Sequence, residues 1–574
     1  MSTTIQITPY GDEYAVKTPY HAEFINSLKT LHWTTRKWDK LNKVWLVKKE
    51  VIDNVLKILT KFWDEGLIHL PDELKNRIEV LEKAKTAAST VETDEEIEMN
   101  GKKLYHFQCG GVKFLEIMGK GIIADQMGLG KTAQSLAVLK RNKDWYPALV
   151  VAPSSVKMNW AREIMNWLTS SEVSCDVIDG NKAFEINEFG KKNWKSRDIS
   201  TMDKDSFADI TICNYEMLER NIVHLKRMNV NTIIFDESHF LKNNKSKRSK
   251  AAYELSRGVK HIVMLTGTPV MNRPIELWFP LHILDDTAWP NMFGFATRYC
   301  NAYKNRYGWD FSGSSNLDEL HELLIGKYMV RRKKKDVFKD MPDKVVYRST
   351  LDIEDKDRKE YNFAVANFRQ WALSQGINKA RSSLMAEALT RLTTLKRLAA
   401  EAKVNEVIDH ANEFLTSRED DKLVIFGYHR SVLNRIEGGL KNAGFKVVTI
   451  TGEDTLDQRQ DALETFKNDK GTRVIVCSIM TAGAGIDGLQ AAHNMMFVER
   501  TWRPSDHQQA EDRIHRIGQT EACFIEYLDM ENSIDEYMAK ILENKAMIAA
   551  QVIDGKIEQD NFVDEVMDAI LNER

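Results

Sequence analysis

Short runs of β-branched and other apolar residues recur in two stretches of the chain, separated from one another by longer amphipathic segments. In the first stretch they lie at residues 121–124, 148–151, 209–212, 232–235 and 261–264. In the second they lie at residues 422–426, 446–450, 473–476 and 494–498. Continuously apolar strands between helices are typical of a parallel sheet covered on both faces. The pattern predicts an α/β fold with two parallel-sheet lobes, at residues 101–270 and 416–535.

The remaining segments differ in texture from these lobes. Residues 1–65 combine strand-like runs with two amphipathic stretches and predict a small α+β module. Residues 66–100 predict a helix followed, from residue 82, by an acidic linker. Residues 271–415 predict a helical region between the lobes. Residues 536–574 predict a C-terminal helical extension.

Composition limits the class of protein without identifying it. The net charge of -3 is not that of a basic nucleic-acid-binding domain, so contacts with nucleic acid must come from local patches. Six scattered cysteines without close pairs argue against a zinc cluster or a disulfide framework and fit a reducing compartment. The sequence has neither an apolar run long enough to span a bilayer nor a signal-peptide pattern. We therefore expect a cytoplasmic protein of prokaryotic or viral origin, or a nuclear one if the host is eukaryotic.

The run at residues 121–124 leads into a glycine turn at residues 125–132 and then into an amphipathic helix. Strand, glycine turn and helix are the context of a phosphate-binding loop. Gly128 and Gly130 let backbone N–H groups surround a β-phosphate, while Lys131 can reach the β- and γ-phosphates. The hydroxyl of Thr132 can bind magnesium.

The glycine turn departs from the usual motif at its first position, where Asp125 replaces glycine. The alternative interpretation is a glycine helix cap beside a surface lysine. The strand and the helix on either side favour the phosphate-binding loop. The other residues predicted to contact the nucleotide here are Asp125, Met127, Leu129 and Ala133.

An acidic pair, Asp236 and Glu237, follows the apolar run at residues 232–235. In open α/β sheets, ligands lie at the carboxyl ends of the strands. We predict that Asp236 holds magnesium and that Glu237 orients and deprotonates the attacking water. An acidic helix cap is the alternative. The next strand ends in Thr266, Gly267 and Thr268, which predict a turn that couples the nucleotide to a bound partner.

Near the C-terminus, Arg513 and Arg516 lie three residues apart and, on a helix, project from one face. A guanidinium beside the γ-phosphate stabilises the transition state of phosphoryl transfer. A solvated helix face is the alternative. It is disfavoured because a strand and a glycine-rich turn at residues 481–488 precede the arginines. In that turn, Gly485 and Asp487 are predicted to contact the nucleotide.

These motifs resemble those of the Swi/Snf-type (Snf family) ATPases of helicase superfamily two, over residues 104–530. The strings at residues 331–337 and 513–519 are specific to that family. The resemblance implies two RecA-like lobes, ATP and magnesium as cofactors, and translocation on duplex DNA. It also implies that Phe107 and Gln108 lie near the adenine and that Arg513 and Arg516 are arginine fingers.

The chain departs from the family pattern at three places. Gln126 replaces a usual glutamate, Ile486 and Asp487 replace Leu-Asn, and Arg503 replaces an asparagine. None of these removes a phosphate, metal or arginine-finger group. The details of coupling and DNA contact are what they put in question.

DNA contacts are predicted from basic and aromatic residues. One basic cluster spans residues 242–250 and is equally consistent with a solvated loop. The other spans residues 331–335 and includes Arg331, Arg332 and Lys333, and we expect a role for it in the DNA path or in lobe coupling. We expect the same of Trp502 and of Thr266–Thr268.

Residues 14–20, 28–29, 38–39 and 43–45 carry a resemblance of the N-terminal module to a HARP domain, the element that marks annealing helicases. Its tryptophans Trp33, Trp38 and Trp45 alternate with Lys37, Lys40 and Lys43, an arrangement that suits stacking on unpaired bases. The alternative is that the tryptophans are simply core residues.

The sequence therefore predicts a DNA-dependent ATPase that moves along double-stranded DNA and anneals or remodels forks in replication, repair or recombination. A strand-separating helicase, a nucleoprotein remodeller and a non-catalytic ATP-gated clamp are the alternatives. The expected partners are duplex or forked DNA, with single-stranded DNA-binding protein or replication machinery as protein partners. We expect a monomer.

Overall fold

The computed structural model describes residues 4–29, 35–270, 273–305, 308–338, 340–375, 381–482, 488–516, 518–540 and 542–543. Three predicted features lie outside these residues: Trp33, the pair Gly485 and Asp487, and the C-terminal extension beyond residue 543. The extension begins as a helix at residues 534–540. Within the described part of the chain, every helix is too short or too polar to cross a membrane.

The N-terminal module is a five-stranded sheet with two helices packed against it. Its elements are β1 (Ile5–Tyr10), β2 (Glu13–Lys17), α1 (Ala22–Leu28), β3 (Arg36–Asp39), β4 (Val44–Lys48), α2 (Ile52–Phe62) and β5 (Ile68–His69). The strand order is β3-β4-β2-β1-β5, and only β1 and β5 pair in parallel. Alternate residues Ile5 and Ile7 of β1 meet Phe24 of α1 and Val55 of α2 in the core. The structure thus has an α+β module where the sequence predicted one.

A long helix, α3 (Asp72–Ser89), follows the module and leads through β6 (Glu98–Met99) and β7 (Lys102–Lys103) to α4 (His106–Met118). The predicted linker is wrong for residues 82–89, because they belong to α3 and bury Ala84 and Ala87. A Cβ atom on Gly110 of α4 would lie 2.8 Å from the carbonyl oxygen of Ala87. Small residues therefore let the two helices approach closely, and this alanine-rich segment is core.

The first lobe is a nine-stranded sheet, eight strands of which come from residues 120–265. The elements are β8 (Lys120–Ile123), α5 (Lys131–Arg141), β9 (Ala148–Ala152), α6 (Lys157–Trp167), β10 (Cys175–Asp179), β11 (Lys182–Ile186), β12 (Lys192–Asp198), β13 (Ile210–Asn214), α7 (Met217–Arg227), β14 (Thr232–Asp236), α8 (Lys247–Ser256) and β15 (His261–Leu265). Strands β10, β13, β9, β14, β15 and β8 lie side by side in parallel. All five predicted runs are strands of this sheet. Strands β11 and β12, which the sequence did not predict, extend it with antiparallel pairs.

The region between the lobes is largely helical, as predicted. Its elements are α9 (Trp278–Leu284), α10 (Met292–Tyr299), β16 (Tyr303–Asn305), β17 (Gly308–Asp310), α11 (Leu317–Leu324), β18 (Met329–Val330), α12 (Lys334–Val337), β19 (Lys344–Leu351), α13 (Asp355–Gln375), α14 (Arg381–Ala402) and α15 (Val404–Ser417).

This region is divided between the two lobes, whereas the sequence analysis placed residues 271–415 outside both. From α9 to β18 its apolar side chains share a core with the first lobe, and β18 pairs with β8 as the ninth strand. From β19 to α15 they share a core with the strands of the second lobe. The apolar helix faces are buried by the lobes themselves, so the boundary falls near residues 331–343.

The second lobe is a six-stranded parallel sheet of order β19-β24-β23-β20-β22-β21. Its further elements are β20 (Leu423–Gly427), α16 (Arg430–Asn442), β21 (Lys446–Ile450), α17 (Leu456–Asn468), β22 (Thr472–Ser478), α18 (Ile479–Ala482), β23 (Asn494–Phe497), α19 (Pro504–Ile514) and β24 (Cys523–Met530). All four predicted runs are strands. The predicted α/β class with two parallel-sheet lobes is confirmed.

Candidate ATP site between the two lobes

The phosphate-binding loop joins the end of β8 to the first turn of α5. Gly128 and Gly130 have φ angles of +82° and +73°, a region that side-chain-bearing residues rarely adopt. Gly130 also caps α5, so the N–H groups of the first turn point out of the helix end, where an anion is stabilised. Lys131 Nζ donates a hydrogen bond to the carbonyl oxygen of Asp125 at 2.9 Å. The loop has the backbone geometry of a phosphate cradle.

The carboxylate of Asp125 is fully buried and has structural partners. Its Oδ2 accepts hydrogen bonds from Gln134 Nε2 at 2.9 Å and from Arg332 Nη1 at 3.2 Å. The side chain therefore anchors the loop to α5 and to Arg332. The nucleotide contact predicted for Asp125 remains a prediction, and the buried carboxylate has a structural role in this structure.

Gln108 ties helix α4 to the same loop. Its Nε2 donates to the carbonyl oxygen of Leu129 at 3.0 Å, and its Oε1 accepts from Tyr105 N at 2.9 Å. Phe107 is 2% exposed and packs with Tyr105 and Phe338 at ring-centroid distances of 5.9 Å and 5.6 Å. Tyr105, the more exposed ring of this cluster, was missed by the sequence analysis.

The acidic pair lies at the end of β14, where Asp236 is the last residue of the strand and Glu237 follows it. Trp160 Nε1 donates to Asp236 Oδ2 at 2.7 Å, and Glu237 N donates to Asp236 Oδ1 at 2.9 Å. Glu237 has a φ of +49°, so its backbone lies in the left-handed region, which is costly for a residue with a side chain. His239 Nδ1 lies 3.2 Å from Glu237 Oε2, close enough for an ion pair but not aligned for a hydrogen bond.

The two carboxylates differ in proton affinity. Burial and the charge of Glu237 raise the pKa of Asp236 to about 6, against the opposing effects of Trp160 and Lys131. Burial also acts to raise the pKa of Glu237, but its interactions with His239, Lys131 and Arg513 outweigh this and lower it. Glu237 is therefore the member of the pair that is more readily ionised, as a water-activating base must be.

The side chains at this edge fit a magnesium ion. Magnesium binds through oxygen and takes one or two carboxylates together with waters and substrate phosphates. Asp236 supplies a carboxylate and Thr132 a hydroxyl in the first turn of α5. In the described part of the chain, Glu237 Oε2 is a buried oxygen without a hydrogen bond. This set matches the ion when ATP phosphates complete the coordination.

The second lobe brings both arginines to this edge, although not from one helix face. Helix α19 ends at Ile514, and Arg516 lies in the following turn. The predicted common helix face is therefore wrong, because His515 leaves helical geometry (φ −90°, ψ 78°). Arg513 is close enough to Glu237 to lower its pKa. Arg516 Cγ lies 3.6 Å from where a Cβ atom on Gly128 would stand.

Arg331 and Arg332 form hydrogen bonds with the phosphate-binding loop and with the residue that precedes it. Arg331 Nη1 donates to the carbonyl oxygens of Ala124 at 2.7 Å and of Gly267 at 3.0 Å. Arg332 is 4% exposed and holds Asp125. The sequence predicts a role for both arginines in the DNA path or in lobe coupling. For Arg332 the DNA path is wrong, since a buried guanidinium cannot reach a DNA phosphate. Arg331 joins the loop to the turn after β15, and a role of either arginine in coupling remains a prediction.

The polar turn after β15 is joined to the loop through Arg331. Thr268 N donates to Thr266 Oγ1 at 3.1 Å, and both threonines are buried. A Cβ atom on Gly267 would lie 2.5 Å from Met127 Cγ, so a larger residue here would displace the Met127 side chain of the loop. Lys333 is half-buried, and its role remains a prediction.

Comparison with known proteins identifies the family. Residues 29–404 match the model of the SNF2-related domain, and residues 403–518 match that of the helicase conserved C-terminal domain. The chain belongs to the SNF2-related family. The predicted DNA-dependent ATPase motor is thereby confirmed. The HARP-like nature of the N-terminal module remains a prediction.

Several curated proteins are similar to this SNF2-related chain over most of its length. It is 30% identical over 545 residues to the Caenorhabditis elegans homolog of "SWI/SNF-related matrix-associated actin-dependent regulator of chromatin subfamily A-like protein 1", covering 93% of the chain and 74% of that protein. The Xenopus laevis protein of that name is 31% identical, covering 93% of the chain and 53% of the relative. The human "DNA annealing helicase and endonuclease ZRANB3" is 32% identical, covering 80% and 41%. The chain thus spans about half the length of the latter two.

Among solved structures, the "Sulfolobus solfataricus SWI2/SNF2 ATPase core in complex with dsDNA" matches 80% of this chain and 95% of that one, at 24% identity and a TM-score of 0.37.

The curated relatives named above are animal proteins. They give no support to the prokaryotic or viral origin that we predicted.

The module of the SNF2-related chain presents one of its described tryptophans to solvent. Trp38 is 42% exposed, whereas Trp45 is 9% exposed, and their ring centroids lie 5.2 Å apart. Trp45 is therefore a core residue that supports Trp38, and direct stacking on DNA is wrong for it. Trp502 is half-buried against the core of the second lobe, and its role remains a prediction.

The basic cluster at residues 242–250 is partly neutralised. Lys242 pairs with Glu276 at 3.0 Å, and Lys247 pairs with Glu219 at 3.1 Å. The Lys247 side chain is nonetheless largely exposed, so the solvated loop and the DNA-binding patch both remain open as interpretations.

Proposed function

We propose that this SNF2-related chain uses ATP hydrolysis to move along double-stranded DNA and to anneal or remodel forked DNA. One observation supports this above the others: Arg516 of the second lobe lies against Gly128 of the phosphate-binding loop in the first. A site completed by both lobes links each hydrolysis event to the relative position of the lobes. That link is what a translocating motor requires.

The chemistry can be derived from the chain's own residues. The N–H groups around Gly128 and Gly130 bind the β-phosphate, and Lys131 neutralises the γ-phosphate. Glu237, ionised at neutral pH, orients the attacking water and accepts its proton. Arg513 and Arg516 stabilise the charge that develops on the transferred group. Magnesium, held by Asp236 and Thr132, supplies charge neutralisation of the phosphates when bound.

Coupling to DNA runs through the polar turn at residues 266–268. Arg331 bonds both to this turn and to the start of the phosphate-binding loop. A shift in the loop on hydrolysis therefore displaces the turn. We propose that the DNA-sensitive surface of the first lobe lies on the side of this turn opposite Arg331.

The preference for forks is assigned to the N-terminal module. Asp53 of the module pairs with Lys327 of the first lobe at 2.7 Å and with Arg77 of α3 at 2.9 Å. The module is thus bonded to the motor and carries an exposed Trp38 among the exposed lysines Lys37 and Lys40. The human relative is named a DNA annealing helicase, which is consistent with this assignment.

The decisive experiment measures ATP hydrolysis with single-stranded, blunt duplex and forked DNA, using Lys131→Ala as the inactive control. We expect strong stimulation by blunt duplex, more by forks, and little by single strands. Re-annealing of a melted fork would be followed in the same preparation. Stimulation by single strands together with unwinding of a tailed duplex would instead support a strand-separating helicase and overturn the proposal.

A further inference from the structure

Lys334 connects the phosphate-binding loop of the first lobe to the arginine-bearing segment of the second. At its backbone, the Lys334 N–H donates to Gln126 Oε1 at 2.9 Å. Gln126 N in turn donates to the carbonyl oxygen of Arg332 at 2.9 Å. Two hydrogen bonds thus strap Gln126 of the phosphate-binding loop to the start of α12.

The other end of Lys334 reaches into the second lobe. Its Nζ donates to Asp512 Oδ1 at 2.8 Å and also to the carbonyl oxygen of His515. Asp512 immediately precedes Arg513, and His515 immediately precedes Arg516. The side chains of Lys334 and Asp512 are 3% and 1% exposed.

The stem of Lys334 passes close to the loop and to Arg516. A Cβ atom on Gly128 would lie 3.5 Å from Lys334 Cε and 3.6 Å from Arg516 Cγ. One lysine therefore contacts the loop and the segment that carries both arginines. The neighbouring Lys335, by contrast, is exposed.

Lys334 and Asp512 have few other groups with which to pair. In the described part of the chain, Asp512 Oδ2 has no hydrogen bond, so Lys334 is the main partner of this carboxylate. Buried charges persist in proteins only when they are paired and hydrogen-bonded. The pair therefore sets the separation between the two segments that it joins.

We propose that Lys334 is a positioning residue for ATP hydrolysis, which sets where Arg513 and Arg516 stand relative to the γ-phosphate. The inference rests on the proposed function, because it assumes that these arginines act in hydrolysis. Lys334 need not touch the nucleotide. Its loss leaves ATP binding to the first lobe intact and slows the chemical step.

The test compares four variants of the full chain: Lys334→Met, Asp512→Asn, the double variant, and, as the matched control, Lys441→Met, at an exposed lysine of α16 that pairs with Glu437. For each we would measure kcat and KM with duplex DNA, binding of a fluorescent ATP analogue, and the thermal midpoint. A displacement of about 1 Å at a catalytic group slows a reaction about 100-fold, so we expect a fall of that order in kcat for Lys334→Met. Binding of the analogue should not change, and Lys441→Met should match the wild type.

The double variant separates positioning from simple stabilisation. It removes the unpaired buried carboxylate that Lys334→Met leaves behind, so its thermal midpoint should recover towards that of the wild type. Its kcat should stay low if Lys334 positions the arginines. Recovery of both midpoint and kcat would show a purely structural pair and overturn the inference.

The two failures remain distinguishable. A wild-type protein that hydrolyses no ATP with any DNA would overturn the proposed function, and the inference with it. A wild type that is active beside an equally active Lys334→Met would overturn the inference alone.

Discussion

At the nucleotide-facing edge of the first lobe, charged side chains are bonded to one another, whereas on the N-terminal module Trp38 and its lysines face solvent. Asp125, Arg332 and Lys334 are each less than 5% exposed, against 42% for Trp38. Phosphoryl transfer needs its groups held to fractions of an ångström, and burial in pairs provides this. A surface that stacks on bases needs only an accessible ring. Substitutions in the motor should therefore have large effects on ATP hydrolysis, whereas substitutions in the module should have smaller effects on DNA binding.

The largest effect is expected at the lobe interface. Arg516→Ala should lower DNA-stimulated kcat by about 10³-fold or more, because an arginine finger contributes on that order. Arg430→Ala, which removes an exposed arginine of the same lobe paired with Glu453, is the control and should change little. A fall of less than about tenfold would mean that Arg516 does not reach the transition state.

Next comes the water-activating base. Glu237→Gln should reduce kcat by about 100-fold or more while ATP binding is retained, since an amide cannot accept the proton. Single-turnover hydrolysis and nucleotide binding would be measured together. Glu216→Gln, at an exposed glutamate of the same lobe, serves as the control. Weakened ATP binding with unaltered single-turnover hydrolysis would contradict the assignment.

A smaller effect is expected from the indole that holds Asp236. Trp160→Phe removes the 2.7 Å hydrogen bond to Oδ2 and should lower kcat about tenfold, with a higher magnesium concentration needed for half-maximal rate. Trp167→Phe removes a comparable hydrogen bond, to Glu163, from the same helix. Equal effects of the two substitutions would show that the loss is one of helix stability.

The module should give the smallest effect. Trp38→Ala should weaken binding to forked DNA about fivefold, as expected for one exposed base–aromatic contact, and leave kcat with blunt duplex unchanged. Leu41→Ala, at a residue that is 89% exposed in the turn after β3, is the control. A fork preference that survives Trp38→Ala would remove the evidence for a DNA-binding face on the module.

Local patterns predicted the strands and the phosphate-binding loop correctly. The nine apolar runs are strands, because a strand that is buried on both faces needs apolar side chains at consecutive positions. Gly128 and Gly130 could be assigned for the same reason, since a left-handed turn between strand and helix is a local requirement. The acidic pair, too, is at the end of its strand, with Asp236 as the last strand residue.

Features that depend on contacts between residues distant in the sequence were not predicted correctly. Strands β18 and β19 belong to different sheets although only 13 residues separate Val330 from Lys344, and nothing local marks the division. The alanines of α3 resembled a linker because their partner is the glycine-containing face of another helix. Arg516 was placed on a helix that ends at Ile514.

The sequence by itself determined the two-lobed motor, its phosphate-binding loop and its acidic pair, because each depends on neighbouring residues. Only the tertiary structure decided what the basic residues after β18 do. Arg332 meets Asp125 across 207 residues, and Lys334 meets Asp512 across 178. A cluster of cations suggests a nucleic-acid surface when its partners are unknown. Folding supplies buried acceptors instead, because a charge removed from water must be paired.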